Sequence, residues 1–122
     1  MREILFRGKR RVMGDWATSS YPYGTIWIDT MIDDFVLSTV GQYTGFEDKN
    51  GVQIFEGDII KNIKTENVAE VQWFSEEGAF MIHWHDESGA KVDFLYDNDF
   101  KNIEVIGNIY DNPELVGGNK NA

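Results

Sequence analysis

Residues 40–62 read VGQYTGFEDKNGVQIFEGDIIKN, and this stretch decides the fold of the chain. Two strand-like segments, Tyr43–Phe46 and Val52–Phe55, flank a polar turn that ends in Asn50-Gly51. Asn and Gly tolerate the positive φ that tight hairpin turns require. The stretch therefore predicts a β-hairpin in which Gly51 is a structural determinant.

The segment after the hairpin restarts the chain as another strand. Gly57 stands at the restart, and Asp58 follows it directly before Ile59. A carboxylate at the start of a strand can accept hydrogen bonds from nearby backbone N–H groups. Tyr43 is expected to pack beside the hairpin. We therefore interpret Tyr43, Gly51, Gly57 and Asp58 as structural residues.

Short strands are predicted on both sides of the hairpin. Apolar and polar residues alternate in them, and links with glycine at 76–78 and 87–89 are good hairpin signals. The predicted strands are Arg2–Arg7, Thr25–Ile28, Phe35–Val40, Gln53–Phe55, Asp58–Asn62, Val68–Phe74, Ala79–His85, Ala90–Tyr96 and Ile103–Tyr110. Val12–Gly24, which contains two glycines and a proline, is predicted to be irregular. Gly107 is expected to form a bulge in the last strand.

The pattern predicts a mainly β protein that is one compact unit. Residues 1–40 are expected to form an irregular N-terminal subdomain of β or α+β character, and residues 113–122 a C-terminal tail. Residues 41–112 read as a meander of antiparallel strands, which favours a small barrel. Within one of its strands Val71 and Trp73 share a face, and within the next strand Phe80, Ile82 and Trp84 share a face.

Three patches of the chain resemble the YopX-like proteins of bacteriophages and prophages. They are the start at 1–9 (MREILFRGK), the central patch at 43–59 and the closing segment at 103–115 (IEVIGNIYDNPEL). The resemblance implies a phage or prophage context, hence a bacterial host cell. It also implies a mainly β fold whose later part is SH3-like, and it brings no catalytic residues.

Charge and composition exclude several classes of protein. There is no Cys, so disulfides, thiolate zinc sites and cysteine nucleophiles are excluded. The net charge of −10 argues against direct nucleic-acid binding, because phosphate repels an acidic surface. Residues 1–11 nevertheless hold five Lys or Arg and one Glu. The first strand is therefore expected to dock on the acidic remainder.

No stretch approaches the roughly 20 apolar residues of a membrane helix. The basic start at 2–11 is not followed by the apolar region of a secretory signal. We therefore expect a cytoplasmic protein that makes no contact with a membrane.

His83 and His85 form the only metal-like pair. Alternate residues of a strand lie about 7 Å apart on one face, so two imidazoles there could share a metal. No third ligand is specified, however, and the favoured interpretation places both histidines on the solvent face. No cofactor and no catalytic residue is predicted, since the motifs of nucleophilic and phosphate chemistry are missing from the sequence.

Trp16, Tyr21 and Tyr23 are the candidate partner-binding residues, because aromatic side chains in loops are enriched at interfaces. Alternatively, they cover the end of the barrel. The sequence favours a non-enzymatic phage accessory protein that binds an unidentified host or phage protein. Two other functions stay open, namely an acidic mimic of nucleic acid and a small metal-dependent hydrolase. A small homo-oligomer also stays open.

Overall fold

The computed structural model describes residues 5–19, 25–28, 31–34, 36–86 and 89–116. Within these ranges the chain forms β-strands joined by turns and short 3-10 helices. The strands are β1 (Phe6–Lys9), β2 (Trp16–Ser19), β3 (Thr25–Ile28), β4 (Met31–Asp34), β5 (Gly41–Glu47), β6 (Gln53–Phe55), β7 (Asp58–Asn62), β8 (Val68–Phe74), β9 (Ala79–Asp86), β10 (Gly89–Phe94) and β11 (Ile103–Asn108). The 3-10 helices are Leu37–Thr39, Leu95–Asp97, Phe100–Asn102 and Pro113–Val116. The prediction of a mainly β fold is confirmed.

Two antiparallel sheets and a two-stranded ribbon make up this fold. The first sheet has the order β2-β1-β5-β6, the second has the order β10-β9-β8-β7-β11, and β3 pairs with β4. The pairing of β1 with β5 crosses position 40, where the predicted subdomains meet. In the described residues neither sheet closes on itself, since β10 and β11 lie at opposite edges of the second sheet. The SH3-like barrel therefore stays a prediction.

The segment Val12–Gly24 is more regular than predicted. Its residues 16–19 form β2, which pairs with β1 from Phe6↔Ser19 to Lys9↔Trp16. The turn before β2 is closed by backbone hydrogen bonds between Arg10 and Asp15 and between Gly14 and Arg10. The prediction of an irregular segment was wrong for residues 16–19. A tight turn brings them back to β1 as a strand, although their sequence has no alternating apolar pattern.

The predicted strand Phe35–Val40 is also wrong in its described part. Residues 37–39 form a 3-10 helix instead. The hydroxyl of Thr39 donates to the Val36 carbonyl at 2.6 Å and accepts from the Lys9 N–H at 2.9 Å. A β-branched residue that suits a strand thus uses its hydroxyl to stabilise a turn.

The second sheet supplies most of the core. Its strands β7 and β8, and β6 of the first sheet, have the predicted bounds. Fully buried apolar side chains of this sheet pack together with Ile54 of β6 and with Leu95; those in this cluster are Ile60, Ala69, Val71, Ile82 and Ile103. The bulge predicted at Gly107 is confirmed by a register shift between Val105 and Gly107 in β11.

Asp48 joins the hairpin of the first sheet to the second sheet. Its carboxylate accepts the N–H groups of Asn50 and Val52 within the turn, at 2.8 and 2.9 Å. It also accepts the N–H of Val105 on β11 at 2.9 Å. Burial raises the pKa of Asp48, but these three backbone donors outweigh burial, and the resulting pKa is lowered. The charged carboxylate is therefore the form that the fold uses.

Replacing Asp48 by Asn should destabilise the fold. The amide has one acceptor oxygen where the carboxylate has two, so an N–H donor of the protein would face the new NH₂ group. We expect a loss of about 1–3 kcal/mol in the free energy of unfolding, measured by urea titration. The neighbouring Glu47→Gln, at an exposed position, is the matched control and should change it by less than about 0.5 kcal/mol. Equal losses in the two variants would contradict the role assigned to Asp48.

Candidate functional site

Asp58, one of the residues singled out in the sequence, lies at the junction between the two sheets. Arg7 on β1 donates from Nη2 to Oδ1 of Asp58 at 2.5 Å. The other oxygen of Asp58 accepts the backbone N–H of Phe55 at 2.7 Å. Asp58 is 1% exposed and begins β7, so this ion pair crosses from the first sheet to the second. The basic first strand thus docks on an acid of the remainder of the chain, as its charge predicts.

Aromatic rings enclose the Arg7 guanidinium. Its Cζ lies 4.8 Å from the ring centroids of both Trp16 and Phe55. The Tyr43 ring packs on Phe55 with a centroid separation of 5.5 Å. Burial raises the pKa of Asp58, and the Arg7 charge opposes this effect. If the sheets moved apart, each of these charged groups would lose its counter-charge, so the pair is a specific connection between the sheets.

Gly51 and Gly57, two of the three glycines of the central patch, both have a positive φ. Gly51 has a φ of +79° and Gly57 a φ of +92°. A Cβ on Gly57 would lie 3.2 Å from Cε2 of Tyr110. At Gly57, therefore, a side chain would meet both backbone strain and a neighbouring ring.

Trp16 takes part in a latch with the C-terminal segment, formed by Lys9, Trp16, Tyr110 and Asp111. Trp16 Nε1 donates to Oδ2 of Asp111 at 2.8 Å, and its ring lies 5.9 Å from that of Tyr110. Lys9 forms an ion pair with the other oxygen of Asp111. The hydrogen bonds from Lys9 and Trp16 lower the pKa of Asp111 from 3.8 to about 2. Tyr21 and Tyr23 lie outside the described residues, and the partner-binding role of all three aromatics stays a prediction.

The histidine pair lies on β9. His83 is half-buried and pairs with Glu70 on β8 and with Val92 on β10. Across the part of the chain that the structure describes, no group of three His, Cys, Asp or Glu residues is arranged to hold a metal ion. The same ranges contain no helix of the length and hydropathy that a bilayer span requires.

An aromatic groove of about 530 Å³ lies on the surface of the described chain. It opens between the part of β5 where the register with β6 shifts (from Tyr43 to Glu47), the β8–β9 hairpin and the 3-10 helix 95–97. Its lining residues are Thr44, Gly45, Phe46, Trp73, Gly78, Ala79, Phe80, Leu95 and Tyr96. Two of the rings are open to solvent, since Trp73 is 43% exposed and Tyr96 is 57% exposed. The groove therefore presents apolar surface that the fold itself leaves uncovered.

Neighbouring rings fix the walls of the aromatic groove. Trp73 meets Phe80 edge to face, with centroids 5.0 Å apart and planes at 67°. Phe46 is stacked on Phe100 at 4.7 Å and 11°. The hydroxyl of Thr44 donates to the Ile54 carbonyl at 2.7 Å. These contacts hold the walls in place before any ligand binds, which lowers the entropy cost of binding.

Acidic residues flank the lining residues of the aromatic groove in the sequence. Positions within two residues of its lining residues carry no Lys or Arg. The exposed acids at these positions are Glu47, Glu76, Glu77 and Asp97. The groove consequently combines aromatic surface with exposed carboxylates at neighbouring positions, which attract cationic ligands.

Sequence reasoning did not identify the aromatic groove. Alternation placed Trp73 on the core face with Val71, and Val71 is indeed fully buried. Trp73, however, stands one residue from the end of β8, where the neighbouring elements no longer cover the sheet. A large aromatic residue at the end of a strand, beside an acidic glycine-containing turn, was the signal that could have revealed the site.

A double-mutant cycle tests the Arg7–Asp58 ion pair. Asp58→Asn leaves a buried cation without a counter-charge and should cost about 3–5 kcal/mol of unfolding free energy. Adding Arg7→Met should cost less than it does alone, with a coupling of about 1–3 kcal/mol in urea titrations. The control is the same cycle on Arg10 and Asp15, where the acid is 57% exposed and the coupling should be below about 1 kcal/mol. Strict additivity at Arg7 and Asp58 would contradict the connection between sheets.

The latch predicts a specific dependence of stability on pH. The pKa of Asp111 in the folded state, about 2, lies below its ordinary value of 3.8. Its contribution is therefore fully present above the ordinary value and is lost as the pH falls towards 2. The difference in unfolding free energy between the wild type and Asp111→Asn should be constant near neutral pH and vanish in that acidic window. Glu114→Gln is the control, and an unchanged difference at low pH would refute the latch.

Comparison with known proteins shows the family of the chain. The family profile described as YopX protein matches residues 6–117. Among solved structures, the chain is similar to the crystal structure of protein EF1440 from Enterococcus faecalis. The two share 21% identity with a TM-score of 0.46, and the match covers 95% of this chain and 99% of that chain. No curated protein matches the chain. The resemblance read from the start, centre and end of the sequence is confirmed, and the chain belongs to the YopX protein family.

Proposed function

We propose that this YopX family member is a non-enzymatic protein-binding module. It acts in a bacterial cell as an accessory protein of a phage or prophage, and the aromatic groove is its binding surface. The observation that carries the proposal is the exposure of Trp73 and Tyr96 in a preformed concave site. Aromatic side chains in such positions supply much of the binding energy at protein interfaces.

The proposal includes the SH3-like barrel from residue 41 to residue 112, between the N-terminal subdomain and the tail. Five antiparallel strands of the second sheet and the adjoining β5–β6 hairpin support it. Asp48 connects that hairpin to β11 through the Val105 N–H, which brings the two sets of strands together. Small barrels of this kind serve as binding platforms in many unrelated proteins, so this step is an analogy of fold.

The aromatic groove is preferred over Trp16 as the main contact surface. The indole N–H of Trp16 is bonded to Asp111, and its ring already contacts Arg7 and Tyr110. A partner would have to displace these contacts before it used the ring. Trp73 and Tyr96 require no such displacement.

Affinity capture with groove variants tests the proposed function. Immobilised wild-type protein should retain at least one specific protein from a lysate of the bacterial host. Tyr96→Ala should reduce the amount retained by about tenfold or more, because truncation of a central aromatic contact costs about 2 kcal/mol. Val92→Ala, at an apolar position that is also exposed (44%) but lies outside the groove, should retain the wild-type amount. Retention of the same proteins by all three, or by none, would overturn the proposed binding surface.

A further inference from the structure

We infer that the ligand of the aromatic groove is an extended, proline-containing and basic peptide segment of the partner. This inference rests on the proposed function and adds the chemical class of the partner. Three features of the described residues carry it: the ring arrangement, the free hydrogen-bond donors and the sign of the nearby charge.

The ring arrangement suits a narrow apolar ligand. Trp73 and Phe80 meet edge to face, so their planes form a notch instead of a flat platform. Gly45 and Gly78 line the groove, and a Cβ placed on either would have no heavy atom within 4 Å. Side chains therefore do not block a ligand backbone at these two points. Proline rings held along an extended backbone match such notches, as in other aromatic-lined grooves.

Two side-chain donors of the aromatic groove are exposed and have no acceptor within the described protein. Among the described residues, Trp73 Nε1 and the Tyr96 hydroxyl have no hydrogen-bond partner, whereas the Thr44 hydroxyl is already bonded to Ile54 and Phe46. A polyproline II segment has no internal hydrogen bonds, so all its carbonyl oxygens can accept. An α-helical ligand has satisfied most of its carbonyls within itself. The free donors therefore favour the extended segment.

The nearby charge selects for Lys or Arg in the ligand. Glu76 and Glu77 form the turn beside Gly78, and Asp97 follows Tyr96. No basic residue lies within two sequence positions of the lining residues, so these carboxylates are the nearest charged groups along the chain. A cation that lies over the face of an exposed indole gains a further attraction. Basic residues interspersed with proline satisfy both conditions.

Fluorescence anisotropy with labelled peptides tests the inference directly. The probe is a peptide in which Pro and Arg alternate with Ala, and the wild-type protein should bind it saturably at about 150 mM salt. Two control peptides change one feature each, with Glu replacing Arg or with Ala replacing Pro. Both should bind at least about tenfold more weakly. Equal binding of the Glu peptide would overturn the charge argument, and equal binding of the Ala peptide would overturn the proline argument.

Protein variants assign the binding to the aromatic groove. Trp73→Phe keeps a ring but removes the indole donor, and it should weaken binding about threefold to tenfold, as expected for one hydrogen bond. Glu76→Lys with Glu77→Lys should weaken it further and remove most of its salt dependence. Glu114→Lys is the charge-matched control outside the groove and should bind as the wild type does. Circular dichroism verifies that each variant is folded.

The outcomes separate this inference from the proposed function. Failure of the Pro/Arg peptide to bind, together with capture that still depends on Tyr96, would overturn the ligand class and leave the protein-binding function standing. Capture that does not depend on Tyr96, together with failure of the Pro/Arg peptide to bind, would overturn both. Binding of the peptide that is insensitive to Trp73→Phe and to the Glu76→Lys, Glu77→Lys double variant would place the peptide elsewhere and also overturn the inference.

Discussion

The ion pair between Arg7 and Asp58 is the interaction on which the arrangement of the two sheets depends. Its members come from different sheets, and Asp58 divides its two oxygens between the Arg7 side chain and the Phe55 backbone. Removing a charged group from water is costly, and only a partner at the correct distance offsets that cost. The pair therefore penalises any relative position of the sheets that separates the two groups. Asp48 has a similar role at the other end of the hairpin, where backbone N–H donors take the place of a cation.

This constraint reaches the aromatic groove through the hairpin. Asp48 holds the β5–β6 turn against β11, and Lys49 N–H adds a second connection to the Ile103 carbonyl. Phe46, two residues before Asp48, is thereby kept on Phe100 and forms one wall of the groove. The opposite wall belongs to β8 and β9 of the second sheet. The shape of the groove is thus set by how firmly buried carboxylates hold the sheets together, not by the groove residues alone.

The strands that could be predicted from the sequence are those that local signals specify. β6, β7 and β8 were predicted to the residue, because alternating apolar positions and the glycines at 51 and 57 act over a few residues. β2 was missed, since nothing in Trp16–Ser19 alternates and its partner β1 specifies it. The 3-10 turn at Thr39 was missed because its hydroxyl bonds to Lys9, thirty residues away in sequence. The aromatic groove was also missed because it depends on distant parts of the chain. Alternation shows that Trp73 shares a face with Val71, but only the packed fold shows that no other element covers Trp73.

The separation in sequence of the stabilising contacts has a consequence for synthesis of the chain. Arg7 and Asp58 are 51 positions apart, and Trp16 and Asp111 are 95 apart. Contacts between distant positions close late, because the intervening chain must first be ordered. On the ribosome, β1 and β2 emerge long before either acidic partner, so Trp16 lacks its contact with Asp111 until late in synthesis. The latch can close only once the chain has been translated through Asp111, so the contact of Trp16 with Asp111 reports that synthesis has passed that residue.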